Sequence, residues 1–167
     1  TSDANSIDHG DQVGSSYGHS STQSSTHGYS CSHTDWGGTS AYDRIEKFAL
    51  ASNANATDIA NTISATSPQQ NYTAHSDGNH GYLAGGQSTS GGSMNVIDKH
   101  AFANSNNAVD VGDQVVVVGG SAAASSTTHG YTHGGYDTDF VNTIQSFALY
   151  ACILEQLLFV LSHNLSM

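Results

Sequence analysis

Three histidines stand in one repeated tetrapeptide: Thr26-His27-Gly28-Tyr29, Asn79-His80-Gly81-Tyr82 and Thr128-His129-Gly130-Tyr131. Imidazole ligates metals, carries protons near neutral pH and makes hydrogen bonds. Three imidazoles around one axis would suit a metal ion, but the pattern argues otherwise. Every unit carries one such histidine, and adjacent units hold equivalent atoms well apart, whereas Zn–N bonds span only about 2 Å. The expectation is no metal and no cofactor, with each histidine hydrogen-bonded to a neighbouring turn. His27, Tyr29, His80, Tyr82, His129 and Tyr131 are the candidate binding residues, since imidazole and phenol offer hydrogen bonds and aromatic faces.

The remaining chemistry is sparse. Asp8-His9-Gly10-Asp11 and Asp110-Val111-Gly112-Asp113 hold oxygen ligands of the kind calcium prefers, yet the second copy reads Asp58-Ile59-Ala60-Asn61. These segments read as turns, with Asp bonding its own backbone. No nucleophile elbow, P-loop, dinucleotide fingerprint or zinc-protease motif is present. No catalytic residue and no enzymatic activity are expected.

Charge excludes further classes. Three basic residues face 14 acidic ones, for a formal charge of −11. Arg44, Lys47 and Lys99 cannot assemble a patch for nucleic-acid phosphates or an anionic membrane surface. Few charges among many small polar residues suggest an extracellular or surface-associated setting. Cys31 and Cys152 form no disulfide framework, and nothing in the sequence requires them to pair.

The elements that position these groups follow from the repeat. Each tetrapeptide leads to an apolar hexapeptide: Ile45–Leu50, Ile97–Phe102 and Ile144–Leu149. The histidines lie 53 and then 49 positions apart (27 to 80, 80 to 129), a period typical of stacked modules. Thr1–Val13, Ala51–Ile63 and Ala103–Val115 repeat in turn, with Asp8, Asp58 and Asp110 in one column. An insertion near Ser67-Pro68-Gln69-Gln70 lengthens the second unit. The spacing predicts about four short strands per unit: His-Gly-Tyr running to a glycine pair, the hexapeptide, the Asp-x-Gly segment, and the stretch before the next histidine, clearest in Val115–Gly120. Four strands in fifty residues is the size of a propeller blade. The fold class is all-β, with three tandem units over 1–150 (about 1–50, 51–102 and 103–150) and an apolar tail at 151–167.

Strands such as Gly81-Tyr82-Leu83-Ala84-Gly85-Gly86 followed by Asn95-Val96-Ile97-Asp98-Lys99 resemble the kelch motif. No unit carries that family's Trp after the second strand, and Trp36 is the sole Trp. The resemblance implies one four-stranded β-propeller blade per repeat.

Closed propellers need about four to eight blades, and three units cut out of phase fall short. A second chain would complete a six-bladed ring, with Thr1–Val13 of each chain completing its partner's last blade. A homo-oligomer, foremost a dimer, is therefore expected, the competing account being a segment of a longer propeller. Phe147–Leu161, broken by Glu155 and Gln156, is too short for a membrane span of about 20 residues and is expected to be buried within the chain or by a subunit. The predicted function is a non-enzymatic binding or structural module whose ligand is protein or carbohydrate. The alternative is a filament- or fibre-forming protein assembled head to tail from open units.

Overall fold

The computed structural model describes residues 5–15, 17–34, 41–63, 69–70, 72–88 and 92–149. Trp36, Cys152 and the 151–167 tail lie outside the described residues, as does any fourth strand of the third unit. The strands are β1 (Ser20–Gln23), β2 (His27–Thr34), β3 (Ala41–Ala49), β4 (Thr57–Asn61), β5 (Gln69–Gln70), β6 (Thr73–Ser76), β7 (His80–Ala84), β8 (Gln87–Ser88), β9 (Val96–Ala101), β10 (Val109–Asp113), β11 (Ala122–Ser125), β12 (His129–His133) and β13 (Ile144–Ala148). Among the described residues there is no helix, and so none long and apolar enough to cross a membrane.

The strands form antiparallel sheets in the orders β1-β2-β3-β4, β6-β7-β9-β10 and β11-β12-β13, with a small β5-β8 pair beside them. These are repeated antiparallel sheets, and their hairpins begin alike. The Oγ of Ser24 accepts the His27 N–H at 3.0 Å, Asp77 Oδ1 accepts that of His80 at 2.7 Å, and Ser126 Oγ that of His129 at 3.0 Å. A short oxygen-bearing side chain at this position thus closes each turn and places each histidine at the head of a strand. The strands that begin at His80 and His129 each end at a glycine pair. Gly85 and Gly86 take φ of 70° and 97°, Gly134 and Gly135 of 65° and 106°, a region open to glycine at little steric cost.

Period-two alternation assigns the two faces of each sheet. Tyr29, Cys31 and Ile45 of the first sheet pack with Leu83, Tyr72 and Ala108 in one core; Tyr82, Ala84 and Ile97 pack with Leu149 and Phe147 in the other. The apolar core therefore lies in the two seams between sheets. Outer strands β4 and β10 carry a bulge at the same place, where Ile59 and Val111 are the extra residues.

Two sequence expectations need correction. The strand preceding the third histidine is Ala122–Ser125, not Val115–Gly120. Val115 is 93% exposed, and Val116 exchanges its N–H and C=O with the side-chain amide of Gln145 at 2.7 and 3.0 Å. This run crosses from one sheet to the next, and β-branched residues favour a strand only where a ladder and a half-buried face await them. The first Asp-x-Gly copy is also not a strand. Residues 5–13 lie along the loop before β4, where His9 and Asp11 accept the N–H groups of Ala54 and Ala56 at 3.0 and 2.8 Å.

Candidate binding groove between adjacent sheets

The glycine of each His-Gly-Tyr copy faces an aromatic ring across its hairpin: Gly28 pairs with Phe48, Gly81 with His100 and Gly130 with Phe147. A methyl group on any of the three would lie within 3.0 Å of that ring. The preceding sheet fills the same space. A Cβ on Gly81 would stand 2.6 Å from Thr22 Oγ1, and one on Gly130 would stand 2.9 Å from the His75 ring. The repeated glycine is thus the notch into which two sheets lock. The Thr22 hydroxyl and His100 Nε2 bond there at 3.0 Å, and His75 meets Phe147 edge to face at 5.1 Å.

A second column ties the sheets together. Glu46 Oε2, Asp98 Oδ2 and Gln145 Oε1 accept the N–H groups of Val13, Ile63 and Val116 at 3.1, 3.2 and 2.7 Å. Each side chain reaches the backbone that leads out of the preceding unit. Burial pushes Asp98 up to about 6, and Asp110 adds to the shift. Glu46 is fully buried, with Arg44 Nε 3.3 Å from its other oxygen.

Above the first seam, at the hairpin end, the sheets part into a groove of about 530 Å³. His27, Tyr29 and Lys47 of the first sheet line one side; Asn79, His80 and Phe102 line the other. Tyr29 forms the floor, 1% exposed and stacked on Phe102 at 4.5 Å. Its cross-strand partner Lys47 holds the ammonium 6.0 Å from the Tyr29 ring. The Oγ1 of Thr26 lies 2.9 Å from His27 Nδ1, while His80 Nδ1 bonds Asp77 Oδ2 at 3.0 Å. Burial raises Asp77, but the N–H groups of Asn79 and His80, the His80 ring and the Tyr82 hydroxyl outweigh it and hold the carboxyl below its usual value. The groove therefore offers imidazole, amide and ammonium donors around an aromatic floor.

Three of the six candidate binding residues, His27, Tyr29 and His80, converge on this groove. Tyr82 is 1% exposed beneath the second seam, its hydroxyl set between Asp77 Oδ2 and the Leu149 carbonyl. His129 is exposed beside Thr128, and Tyr131 is half-buried on the outer face of the third sheet. Lys47, Asn79 and Phe102 were not among the sequence candidates. Their signal was present in part: Lys47 and Lys99 hold one column opposite Tyr29 and Tyr82, but only the strand register places them there. The third Asp-x-Gly segment is not the expected turn: Asp110–Asp113 lies within β10, where the Gly112 N–H donates to Asp110 Oδ1 at 2.9 Å beside the bulge, and Gly10 donates to Asp8 in the same way at 3.1 Å. Among the described residues no three His, Cys, Asp or Glu side chains converge into a metal site.

Cys31 and His100 approach to 3.9 Å in the core. Burial pushes the thiol up to about 12 and the imidazole down to about 4. A neutral thiol is a poor nucleophile, and both groups lie under the seam.

Compared with known proteins, the chain matches no family model and no curated protein shows significant similarity to it.

Proposed function

We propose that this chain is a non-enzymatic binding module built from kelch-like blades, which grips a hydroxyl-rich ligand, carbohydrate before protein, in the groove between its first two sheets. The observation that carries the reading is the meeting of His27, Lys47, Asn79 and His80 around the Tyr29–Phe102 floor. Polar donors at the rim of an aromatic surface fix orientation, while the part-exposed Phe102 ring, backed by buried Tyr29, supplies contact area. The one thiol–imidazole approach among the described residues, Cys31 to His100, is buried in the core away from the groove, which disfavours nucleophilic catalysis there. The module works as an oligomer in this reading.

Glycan-array screening followed by NMR titration tests it. The expected result is perturbation of the His27, Lys47 and Asn79 signals, with His27→Ala, Lys47→Ala and Asn79→Ala each weakening binding. At about 0.5–1.5 kcal/mol per hydrogen bond, each loss is roughly threefold to tenfold. Perturbation confined to the third sheet, or equal affinity in all three variants, rules the groove out.

A further inference from the structure

The two ends of the stack are complementary. On the second sheet one face is covered by the first unit and the other by the third. Ile45 and Ile97, on the face turned to the following unit, are 0% and 4% exposed, whereas Ile144 at the same position of the third sheet is 72% exposed. Tyr29 and Tyr82 are each 1% exposed; their counterpart Tyr131 is only half-buried. Strands β3 and β9 pair outward with β4 and β10, while among the described residues no strand pairs with the outer edge of β13. That edge, Thr143 to Ser146, carries no charge, so it lacks the charged side chains by which natural sheets discourage added strands.

The other end holds the missing piece. Residues 5–13 sit on the first sheet as β4 sits on the second. Asp11 N–H donates to Asn55 Oδ1 and Asn61 N–H to Asn107 Oδ1, both at 3.0 Å. Ala56 N–H donates to the Asp11 carbonyl and Ala108 N–H to that of Asn61, both at 2.8 Å. Val13 and Ile63 then donate to the buried acids Glu46 and Asp98. Residues 5–13 thus occupy the outer-strand position of a unit, with no strand paired to them among the described residues.

We propose that a second copy of this chain stacks head to tail on the third sheet and adds its residues 5–13 to the edge of β13. This deepens the oligomeric part of the function proposed above and is independent of the ligand. The register follows from the two complete sheets. Lys47 pairs with Thr57 and Lys99 with Val109, so Ser146 pairs with Ile7; Glu46 pairs with Asp58 and Asp98 with Asp110, so Gln145 pairs with Asp8. Ile144 then pairs with Gly10, and His9 is the bulge residue. A cavity of about 340 Å³ beside Asp113, Val115, Ile144 and Phe147 receives the start of the incoming strand, at the place where Ala108 meets Asn61 in the complete seam. The contact is heterologous, so it closes into a ring or extends as a filament.

Full-length Ile7→Cys and Ser146→Cys proteins, each also carrying Cys152→Ser, are made separately and co-expressed, then oxidised and run without reductant. Both positions are exposed. The expected result is a two-chain disulfide species in the co-expressed sample alone, and none when Asn142→Cys replaces Ser146→Cys. Sedimentation of the native protein is expected to show a discrete dimer for the ring or a ladder of larger species for the filament. A monomer at every concentration overturns the pairing and the oligomer together. Oligomers without the Ile7–Ser146 link overturn this register and leave the oligomeric reading standing, and cross-linking in either variant expressed alone shows a symmetric contact and overturns the head-to-tail arrangement.

Discussion

The Thr22 hydroxyl and the His100 imidazole meet at 3.0 Å over Gly81, in the space a side chain there would take. One group comes from the inner strand of the first sheet and the other from the third strand of the second. The same arrangement returns over Gly130, where His75 meets Phe147. The conserved spacing of the repeat is therefore a spacing of seams.

Replacing Gly81 with Ala forces His100 and Thr22 apart inside a packed core. Overpacking of this kind costs about 1–3 kcal/mol, expected as a lower thermal midpoint. Gly28→Ala is expected to cost less, because the facing Phe48 ring is half-exposed and can swing outward. Adding His100→Ala to Gly81→Ala removes the collision, so the two changes together should be less damaging than their sum. Strict additivity in denaturant melts would refute the notch.

The two seam tyrosines are expected to differ. The Tyr82 hydroxyl lies between the Leu149 carbonyl and Asp77 Oδ2, the latter at 3.0 Å, whereas the Tyr29 hydroxyl reaches the Phe102 carbonyl at only 3.5 Å. Tyr82→Phe removes the single hydroxyl proton that lies between the Leu149 carbonyl and the Asp77 carboxylate, which costs about 1–3 kcal/mol. Tyr29→Phe is expected to fall well below that. Equal midpoints for the two variants would contradict the geometry.

Acid should weaken the seams through their histidines. Burial lowers His75 and His100 from 6.5 to about 4; the Ala124 carbonyl partly offsets it at His75, and His80 adds to it at His100. With a depressed folded pKa, each contributes stability that is whole above about pH 6.5 and is lost as pH falls toward 4. Asp98 runs the other way. Its raised pKa means that the charged form is disfavoured in the fold, so its contribution is whole below about pH 4 and is lost as pH rises through about 6. Two histidines against one carboxylate give a net loss on acidification from pH 7 to pH 4.5, roughly 2 kcal/mol for each histidine. Urea melts across this window should flatten when His75→Gln and His100→Gln are combined. In Asp98→Asn the advantage over the parent should grow from pH 4 to pH 7.

The sequence by itself determined the repeat, the all-β class and the strands beginning at His27, His80 and His129, because period-two alternation and turn residues are local properties of the chain. It also set each of those histidines next to a turn; the structure shows the turn oxygen to come from Ser24, Asp77 and Ser126, three residues before. Tertiary structure decided which histidines are core. His75 and His100 fall outside the shared motif, and only the face each occupies in its sheet buries them. The valine run at 115–118 reads as a strand until the path between sheets is known, since β-propensity is expressed only where a neighbour offers a ladder. Lys47, Asn79 and Phe102 join His27 and His80 across a seam between residues more than thirty positions apart, and no local pattern encodes that meeting. Repetition specifies the unit; the stacking of one unit on the next creates the groove.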